Sequence, residues 1–211
     1  MSITPGIILA DHHDLFRQSL KSLMEQSEKK FRLFEAVNGS EVLDIISRQS
    51  IQLLIMETRM PVLDGFEVIR LIRKNYPSVK IMIMCTYEEK AFVVTVLKHG
   101  IDGIIFKRSS SSREFIEAVE KILAGEKYFN DATIQLMRET DWMNLPQVEF
   151  SNRDVQILKL LDEGLISKQI AGMLNLTTNT VEFYRKRLLR KTQTRNSNDL
   201  IRYIKNIGVL P

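Results

Sequence analysis

Five polar side chains in the N-terminal part of the chain each stand where a short apolar run ends. They are Asp11, His12, Glu57, Thr86 and Lys107. Two carboxylates, a hydroxyl and an ammonium are groups of complementary charge and hydrogen-bonding character. If the apolar runs are parallel strands, their carboxyl ends meet at one edge of a sheet, where such sheets bind ligands. The spacing therefore predicts a ligand site assembled from residues far apart in the sequence.

The elements that must position these groups follow from the hydrophobic pattern. Five short, nearly continuous apolar runs are typical of parallel strands that are covered on both faces. They are residues 7–10, 31–36, 53–56, 81–84 and 103–106. Amphipathic helical patterns follow each run; in the first of them the apolar stripe is Leu15, Ser19, Leu23 and Met24. Five strand–helix units predict a flavodoxin-like, doubly wound α/β domain with a five-stranded parallel sheet.

The same residues carry a resemblance to a known family. The motifs are 10–17 (ADHHDLFR), 56–61 (METRMP), 64–65 (DG), 85–86 (CT) and 106–107 (FK). In order and spacing they resemble the receiver domain of bacterial two-component response regulators over residues 5–125. The resemblance implies that the residue at position 57 accepts phosphate from a histidine kinase and that two acids after the first strand help to bind Mg²⁺. It also implies that Thr86 and Lys107 contact the phosphoryl group.

Two positions depart from the family's pattern. The phosphoacceptor is an aspartate in the family and is Glu57 here, whose carboxylate lies one methylene further from the backbone. The second acid of the metal pair is His12, and a neutral imidazole is a poor ligand for Mg²⁺. We therefore expect a degenerate phosphoacceptor site at Glu57, in a receiver pocket of Asp11, His12, Thr86 and Lys107. The substitutions argue against Mg²⁺ binding, and we expect no cofactor and no catalytic residue.

The adjacent histidines leave a second interpretation open. With Asp11, Asp14 and Glu57, His12 and His13 could form a transition-metal site, since imidazole and carboxylate both bind zinc. Adjacent residues at the end of a strand usually point in different directions, however. We therefore expect one histidine to pack beside the pocket, the other to face solvent, and no metal site to form.

Composition narrows the class of protein. A chain of 211 residues with 44% hydrophobic and 27% charged residues is typical of a globular protein rather than a disordered or membrane protein. No apolar run approaches the roughly 20 residues that cross a bilayer. The apolar run at 7–10 is too short for a signal peptide. Because Cys85 is the only cysteine, no internal disulfide can form, and we expect a cytoplasmic location.

Charge is unevenly distributed along the chain. Residues 150–211 contain 11 Lys and Arg against 5 Asp and Glu, a net charge of +6, which leaves −2 for the rest of a chain whose net charge is +4. A short, separable, base-rich segment predicts a polyanion such as nucleic acid as its partner. We assign 1–125 to the receiver-like domain and 126–147 to a linker. The linker holds a short helix that is capped near Asn130. It also holds Trp142, whose side chain we expect to dock on a neighbouring domain.

The remaining domain, 148–211, is helical throughout by its pattern. The predicted helices run from a cap at Ser151 to a stop at Gly164, from 167 to 174, from a cap at Thr177 or Thr178 to about 191, and over 198–206. A short helix, a tight turn and a longer basic helix outline a helix-turn-helix. On the third helix, Val181, Tyr184 and Leu188 form the stripe that should pack inward. Clustered cations on the other side cost stability unless an anion offsets them.

This segment resembles the LuxR-type DNA-binding domain. The motifs are 150–153 (FSNR), 163–164 (EG), 167–171 (SKQIA), Leu176, 180–181 (TV) and 189–191 (LRK). A receiver followed by this domain is the architecture of the NarL/FixJ class of response regulators. The resemblance implies that Glu182, Phe183 and Lys186 enter the major groove, that Thr178, Thr180 and nearby basic residues hold phosphates, and that the last helix pairs in a dimer. The full predicted DNA-binding set is Lys168, Thr178, Asn179, Thr180, Glu182, Phe183, Arg185, Lys186 and Arg190.

These observations predict a sequence-specific, DNA-binding transcription regulator of two-component type that is not an enzyme. Because Glu57 replaces the phosphoacceptor, we expect it to act independently of phosphorylation. The expected partners are double-stranded DNA, a second copy of the chain, and a histidine kinase or another signalling protein. The alternative is a receiver-like module that a protein or small-molecule signal switches in place of phosphate.

Overall fold

A computed structural model describes residues 4–86, 90–139, 150–206 and 209–210. By its internal contacts the chain divides into two compact units, Met1–Met143 and Asn144–Pro211, which are described separately below. Within the described residues, no helix is long and apolar enough to cross a membrane.

The first unit is built on a five-stranded, all-parallel sheet. Its strands are β1 (Gly6–Ala10), β2 (Arg32–Ala36), β3 (Leu53–Met56), β4 (Lys80–Cys85) and β5 (Gly103–Phe106). The order across the sheet is β2-β1-β3-β4-β5. Strand β2 therefore lies on one side of β1, and β3, β4 and β5 lie on the other. In the register of the sheet, Ile7 lies opposite Leu33 on one side and Leu53 on the other. The predicted doubly wound fold is confirmed.

Helices cover both faces of this sheet. They are α1 (Asp14–Glu25), α2 (Gly39–Arg48), α3 (Gly65–Asn75), α4 (Lys90–Lys98) and α5 (Ser112–Leu123). Successive strand residues point to opposite faces. Ile8 and Ala10 therefore join the core beneath α2, α3 and α4, while Ile7 and Leu9 join the core beneath α1 and α5. Burial on both faces is the reason that the strands are continuously apolar.

The predicted apolar stripe of α1 is wrong at its N-terminal end. Leu15 is 83% exposed, whereas Arg17, Leu20 and Met24 are buried. The buried face of α1 is therefore turned from the predicted one toward Arg17. Burial of Arg17 is possible because its guanidinium finds hydrogen-bond acceptors inside the unit. Arg17 donates to the Asp11 carbonyl oxygen at 2.8 Å and to the Glu35 carboxylate at 3.0 Å.

The segment that follows α5 contacts the first unit. Tyr128 forms a parallel bridge with Gly103 of β5, and its carbonyl oxygen accepts from the Ile104 N–H at 3.1 Å. Helix α6 (Asp131–Glu139) then packs Leu136 and Met137 against the core beneath α2–α4. Residues 128–137 of the predicted linker thus pack on the first unit. Trp142 lies outside the described residues.

The second unit is a small helical domain. It contains α7 (Asn152–Asp162), α8 (Ser167–Met173), α9 (Thr178–Thr192) and α10 (Ser197–Asn206). Ser151 and Asp154 form a reciprocal capping box at the start of α7, and Thr177 caps α9 by accepting from the Thr180 N–H at 3.1 Å. The helices enclose a fully buried apolar cluster: Ile157, Leu158, Ile170, Val181, Leu188, Leu200 and Ile204. The predicted helical domain with a helix-turn-helix is confirmed.

Candidate functional site

The sheet order brings the ends of β1 and β3 side by side at the switch point of the fold. The Glu57 N–H donates to the Ala10 carbonyl oxygen at 2.9 Å, and the Lys107 N–H donates to the Cys85 carbonyl oxygen at 2.8 Å. Each of these residues therefore continues a strand ladder by one bond. Their side chains leave the sheet from fixed backbone positions.

Lys107 bridges two buried carboxylates. Its Nζ lies 2.5 Å from Asp11 Oδ2 and 2.8 Å from Glu57 Oε2. Asp11 is 2% and Glu57 6% exposed. Burial by itself would lower the pKa of Lys107, but the charge of Glu57 and the hydrogen bond to Asp11 outweigh it and raise that pKa above its ordinary value. These three residues are called the carboxylate–lysine cluster below.

The second oxygen of each carboxylate also has partners. Glu57 Oε1 accepts from the backbone N–H groups of Thr58 at 2.9 Å and Arg59 at 3.3 Å. Asp11 Oδ1 accepts from the backbone N–H of His13 at 2.8 Å. Burial by itself would raise the pKa of Asp11, but the hydrogen bonds from Lys107 and His13 lower it below its ordinary value. The cluster is therefore a satisfied ionic network.

Both histidines lie beside the same carboxylate, which differs from the prediction that they diverge. His13 Nδ1 is 3.0 Å and His12 Nδ1 is 3.9 Å from Asp11 Oδ1, and the two ring centroids are 3.8 Å apart. The side chains are 62% and 38% exposed, so neither is packed into the core. The alternation of a strand no longer applies here, because the chain turns at these residues to begin α1 at Asp14.

The residues do not fit the Mg²⁺ that receiver domains are expected to bind. One of the two acids after β1 is replaced by an imidazole, and the Lys107 ammonium contacts both remaining carboxylates where a hard cation would need their oxygens. Thr86 follows β4 and is half-buried. Within the part of the chain that the structure describes, Thr86 forms no hydrogen bond to the carboxylate–lysine cluster.

Two further residues of this region were not assigned a role from the sequence. Arg17 pairs with Asp14 and Glu35 beside the β1–α1 loop, and its place among the first residues of a helical pattern gave no sign that it is buried. Asp64 caps α3 by accepting from the Phe66 N–H at 2.9 Å. Burial raises the pKa of Asp64 to about 6, although backbone hydrogen bonds oppose the shift. An Asp-Gly pair before a helical pattern is the sequence signal for this cap.

In the second unit, α9 has one buried and one exposed face. Val181 and Leu188 are fully buried, as predicted, and Tyr184 is half-buried. The side chains that the sequence places on the other face are exposed, except for the half-exposed Glu182. The exposed members are Asn179, Phe183, Lys186 and Arg190. Phe183 is 64% exposed, an uncommon position for a large apolar side chain.

Some cations of this unit are paired within it and others are not. Arg187 pairs with Asp154 of α7, and Lys205 pairs with Asp162 at 2.9 Å, so both stabilise the domain internally. Within the described residues, Lys168, Lys186 and Arg190 form no ion pair and are exposed. These three side chains are therefore accessible to a ligand.

Arg185, which the sequence assigns to DNA contact, lies in an internal network. It donates to Ser167 Oγ at 2.6 Å and to Glu182 Oε1 at 2.8 Å through Nη1, and to Ser197 Oγ at 2.8 Å through Nη2. Ser167 also donates to Glu182. The hydrogen bond from Ser167 and the charge of Arg185 hold the pKa of Glu182 below its ordinary value. Arg185 thus joins α8, α9 and α10 and orients Glu182.

The remaining predicted residues lie at the start of α9. Thr178 and Asn179 are exposed in its first turn, and Thr180 Oγ1 is 2.8 Å from Thr177 Oγ1. The free N–H groups of a helix start favour anions. This turn and the exposed Lys168 of α8 could therefore hold phosphate groups.

Comparison with known families decides the identity of both units. Residues 7–120 match the response regulator receiver domain, and residues 148–204 match the bacterial regulatory proteins of the luxR family. The chain belongs to the NarL/FixJ family of response regulators. It is a transcriptional regulator with a LuxR-type DNA-binding domain.

Relatives of this response regulator match it over nearly their whole length. The nitrate/nitrite response regulator protein NarP of Escherichia coli (strain K12) is 26% identical over 193 residues, which cover 90% of this chain and 89% of NarP. The transcriptional regulatory protein LnrK of Bacillus subtilis (strain 168) is 27% identical and covers 96% of this chain and 97% of LnrK.

Solved structures show the same fold. RcsB from Salmonella enterica serovar Typhimurium, bound to a promoter in the presence of the phosphomimetic BeF₃⁻, is 22% identical with a TM-score of 0.66. That comparison covers 97% of this chain and all of the RcsB chain. A response regulator of a heme-sensing system, ChrA, has a TM-score of 0.54.

Proposed function

We propose that this response regulator binds duplex DNA through the exposed face of α9 and the starts of α8 and α9. The observation that supports this is the set of exposed cations, Lys168, Lys186 and Arg190, which form no ion pair with any residue that the structure describes. Lys and Arg that neutralise phosphates release counterions from DNA, which supplies affinity. Thr178, Thr180 and Lys168 would hold phosphates, while the centre of α9 enters the major groove.

Two side chains in the second turn of α9 would read bases. Phe183 is large, apolar and 64% exposed, and a thymine methyl group is the apolar feature of the major groove. Glu182 has a carboxylate that could accept a hydrogen bond from the N4 amino group of cytosine. Arg185 would hold Glu182 in place rather than contact DNA, because its guanidinium already donates hydrogen bonds to Glu182 and Ser197 within the domain.

A salt titration tests the DNA proposal. We expect the full chain to bind random duplex DNA with an affinity that falls steeply as salt rises. Lys186→Ala should weaken binding and reduce the salt slope by about 1. Lys159→Ala is the matched control, because Lys159 is exposed on α7 of the same unit. Binding that is insensitive to salt, or equal losses in the two variants, would contradict the assignment of α9.

We also propose that two copies bind DNA together through α10, the helix that the family resemblance assigns to dimerisation. A relative in fold, RcsB, is described as two dimers bound to two parallel DNAs. Band shifts at increasing protein concentration test this point. A single shifted species that contains one copy of the chain per duplex would count against it.

The receiver unit is proposed to act without phosphorylation. The supporting observation is the 2.8 Å contact between Lys107 and Glu57, a charge pair present with no phosphate. An aspartyl phosphate would bring about two negative charges at this point. Glu57 brings one permanent charge on a longer side chain, and that charge already reaches Lys107. A switch follows whichever contacts favour one of its states, so this pair would hold the unit in an active conformation.

Mass spectrometry after treatment with a small-molecule phosphodonor and Mg²⁺ tests this part. We expect no added phosphate and unchanged DNA affinity; a stoichiometric mass gain with tighter binding would overturn it. Glu57→Gln should weaken DNA binding, because it removes the charge that contacts Lys107. Glu117→Gln, at an exposed ion pair on α5, is the control. Unchanged binding by Glu57→Gln would instead assign the pocket a purely structural role.

A further inference from the structure

Two imidazoles and a buried carboxylate converge at the end of β1, and we propose that they bind a transition-metal ion of the Zn²⁺ type. Asp11 Oδ1 lies 3.0 Å from His13 Nδ1 and 3.9 Å from His12 Nδ1. One ligand atom from each of the three residues lies within 4.8 Å of the others. The inference is independent of the proposed DNA binding.

The spacing suits a tetrahedral ion. Bonds of about 2.0–2.2 Å from Zn²⁺ to nitrogen and oxygen place neighbouring ligand atoms about 3.4 Å apart. The two measured distances to Asp11 Oδ1 lie on either side of that value. Both imidazoles are partly exposed, at 38% and 62%, so their rings can rotate without displacing the core. The fourth position would be open to water.

The carboxylate is held in place for such an ion. Asp11 uses Oδ2 for Lys107, whereas Oδ1 faces the imidazoles and also accepts from the His13 backbone N–H at 2.8 Å. Ligating carboxylates are commonly hydrogen-bonded by a second layer of residues in this way. Lys107 does not repel the ion as an isolated charge would, because Glu57 contacts the same ammonium at 2.8 Å. The carboxylate–lysine cluster therefore has a formal charge of −1.

The start of α1 opposes a cation at this place. The N-terminus of α1 lies next to the histidines, and its dipole disfavours positive charge. At an exposed helix start this effect changes affinity by about two- to fivefold. Two imidazoles and a carboxylate are together the ligand set of several zinc sites, so the opposition reduces affinity without preventing binding. The same ligands select against Mg²⁺, which prefers oxygen.

Calorimetric titration of the metal-free full chain with Zn²⁺ tests the site. We expect one ion per chain with a dissociation constant of about 1–10 µM. The double variant His12→Gln/His13→Gln should bind at least about tenfold more weakly. His99→Gln is the matched control, because His99 is the third histidine of the chain and follows α4. Asp11→Asn should also weaken binding, which separates a built site from an exposed histidine pair.

Cobalt provides a readout that needs no variant. Co²⁺ added to the wild-type chain should give the visible absorption of a four-coordinate ion, and Zn²⁺, but not millimolar Mg²⁺, should abolish it. Circular dichroism of each variant checks that it is folded. No Zn²⁺ binding below about 100 µM, displacement by Mg²⁺, or full affinity in the double variant or in Asp11→Asn would overturn the proposal.

Discussion

Removal of the Lys107 ammonium is the most informative perturbation of the receiver unit. The variant Lys107→Met keeps the length and most of the volume of the side chain but leaves Asp11 and Glu57 without their shared cation. Both carboxylates are almost fully buried, at 2% and 6% exposure, and lie 2.5 Å and 2.8 Å from the ammonium that would be lost. We expect this single change to destabilise the unit strongly.

The size of the effect follows from the burial. Breaking a buried ion pair by removing one partner costs about 3–5 kcal/mol, because a charge is left uncompensated. Without Lys107, burial raises the pKa of Asp11 with less opposition, so the loss should be smaller at pH 5 than at pH 8. In the wild type, the lowered pKa of Asp11 predicts stability that is present above its unfolded pKa and is lost as pH falls below about 4.

Urea unfolding followed by circular dichroism measures this loss. Glu57→Gln and Lys107→Met should not be additive, and a coupling free energy of about 1–3 kcal/mol is expected from the double-variant cycle. Lys121→Met is the matched control, because Lys121 forms an exposed pair with Glu117 on α5 at 2.7 Å. That control should leave the free energy of unfolding unchanged.

Two results would refute the reasoning. The first is a free energy of unfolding for Lys107→Met equal to that of Lys121→Met, which would mean that the buried cluster contributes no more than a surface pair. The second is a coupling energy near zero between positions 57 and 107. Either result would also remove the main support for a receiver that needs no phosphate.

Three further predictions concern separate parts of the chain. Asp64→Asn should raise the free energy of unfolding by about 1–2 kcal/mol at pH 7, because the pKa of Asp64 is raised to about 6 and its ionisation opposes folding. This gain in stability should vanish below about pH 4. A gain that does not depend on pH would contradict this cause. Val62 has a φ of 68°, which is strained for a β-branched residue, so Val62→Asn should stabilise the fold by about 1 kcal/mol in thermal unfolding, and a lower melting temperature would argue against strain. Glu182→Ala and Arg185→Ala should each relax preference at the same base pair in selection from random DNA sequences, and recovery of the wild-type site by both variants would leave Glu182 as a surface residue.

Helix α9 shows how much a local sequence pattern can predict. The 3.6-residue period of a helix predicted that Val181 and Leu188 face inward. Both are fully buried, because apolar side chains on one face of a helix pack away from water. The same pattern placed Arg185 near the DNA-facing side. Its actual partners, Ser167 and Ser197, belong to two other helices. A contact between helices depends on their packing, which no local period encodes.

The receiver pocket shows the same division. The sequence determined the strands and the polar residues at their ends, since burial on both faces demands continuous apolar runs and parallel strands end at one edge. Only the tertiary structure decided that Lys107 contacts Asp11, which is 96 residues away, and Glu57 at the same time. It also decided that His12 and His13 face one carboxylate and that Arg17 turns inward. Each of these contacts joins charged or polar side chains from different strands and loops. The order of the strands and the lengths of the side chains set the distances between them.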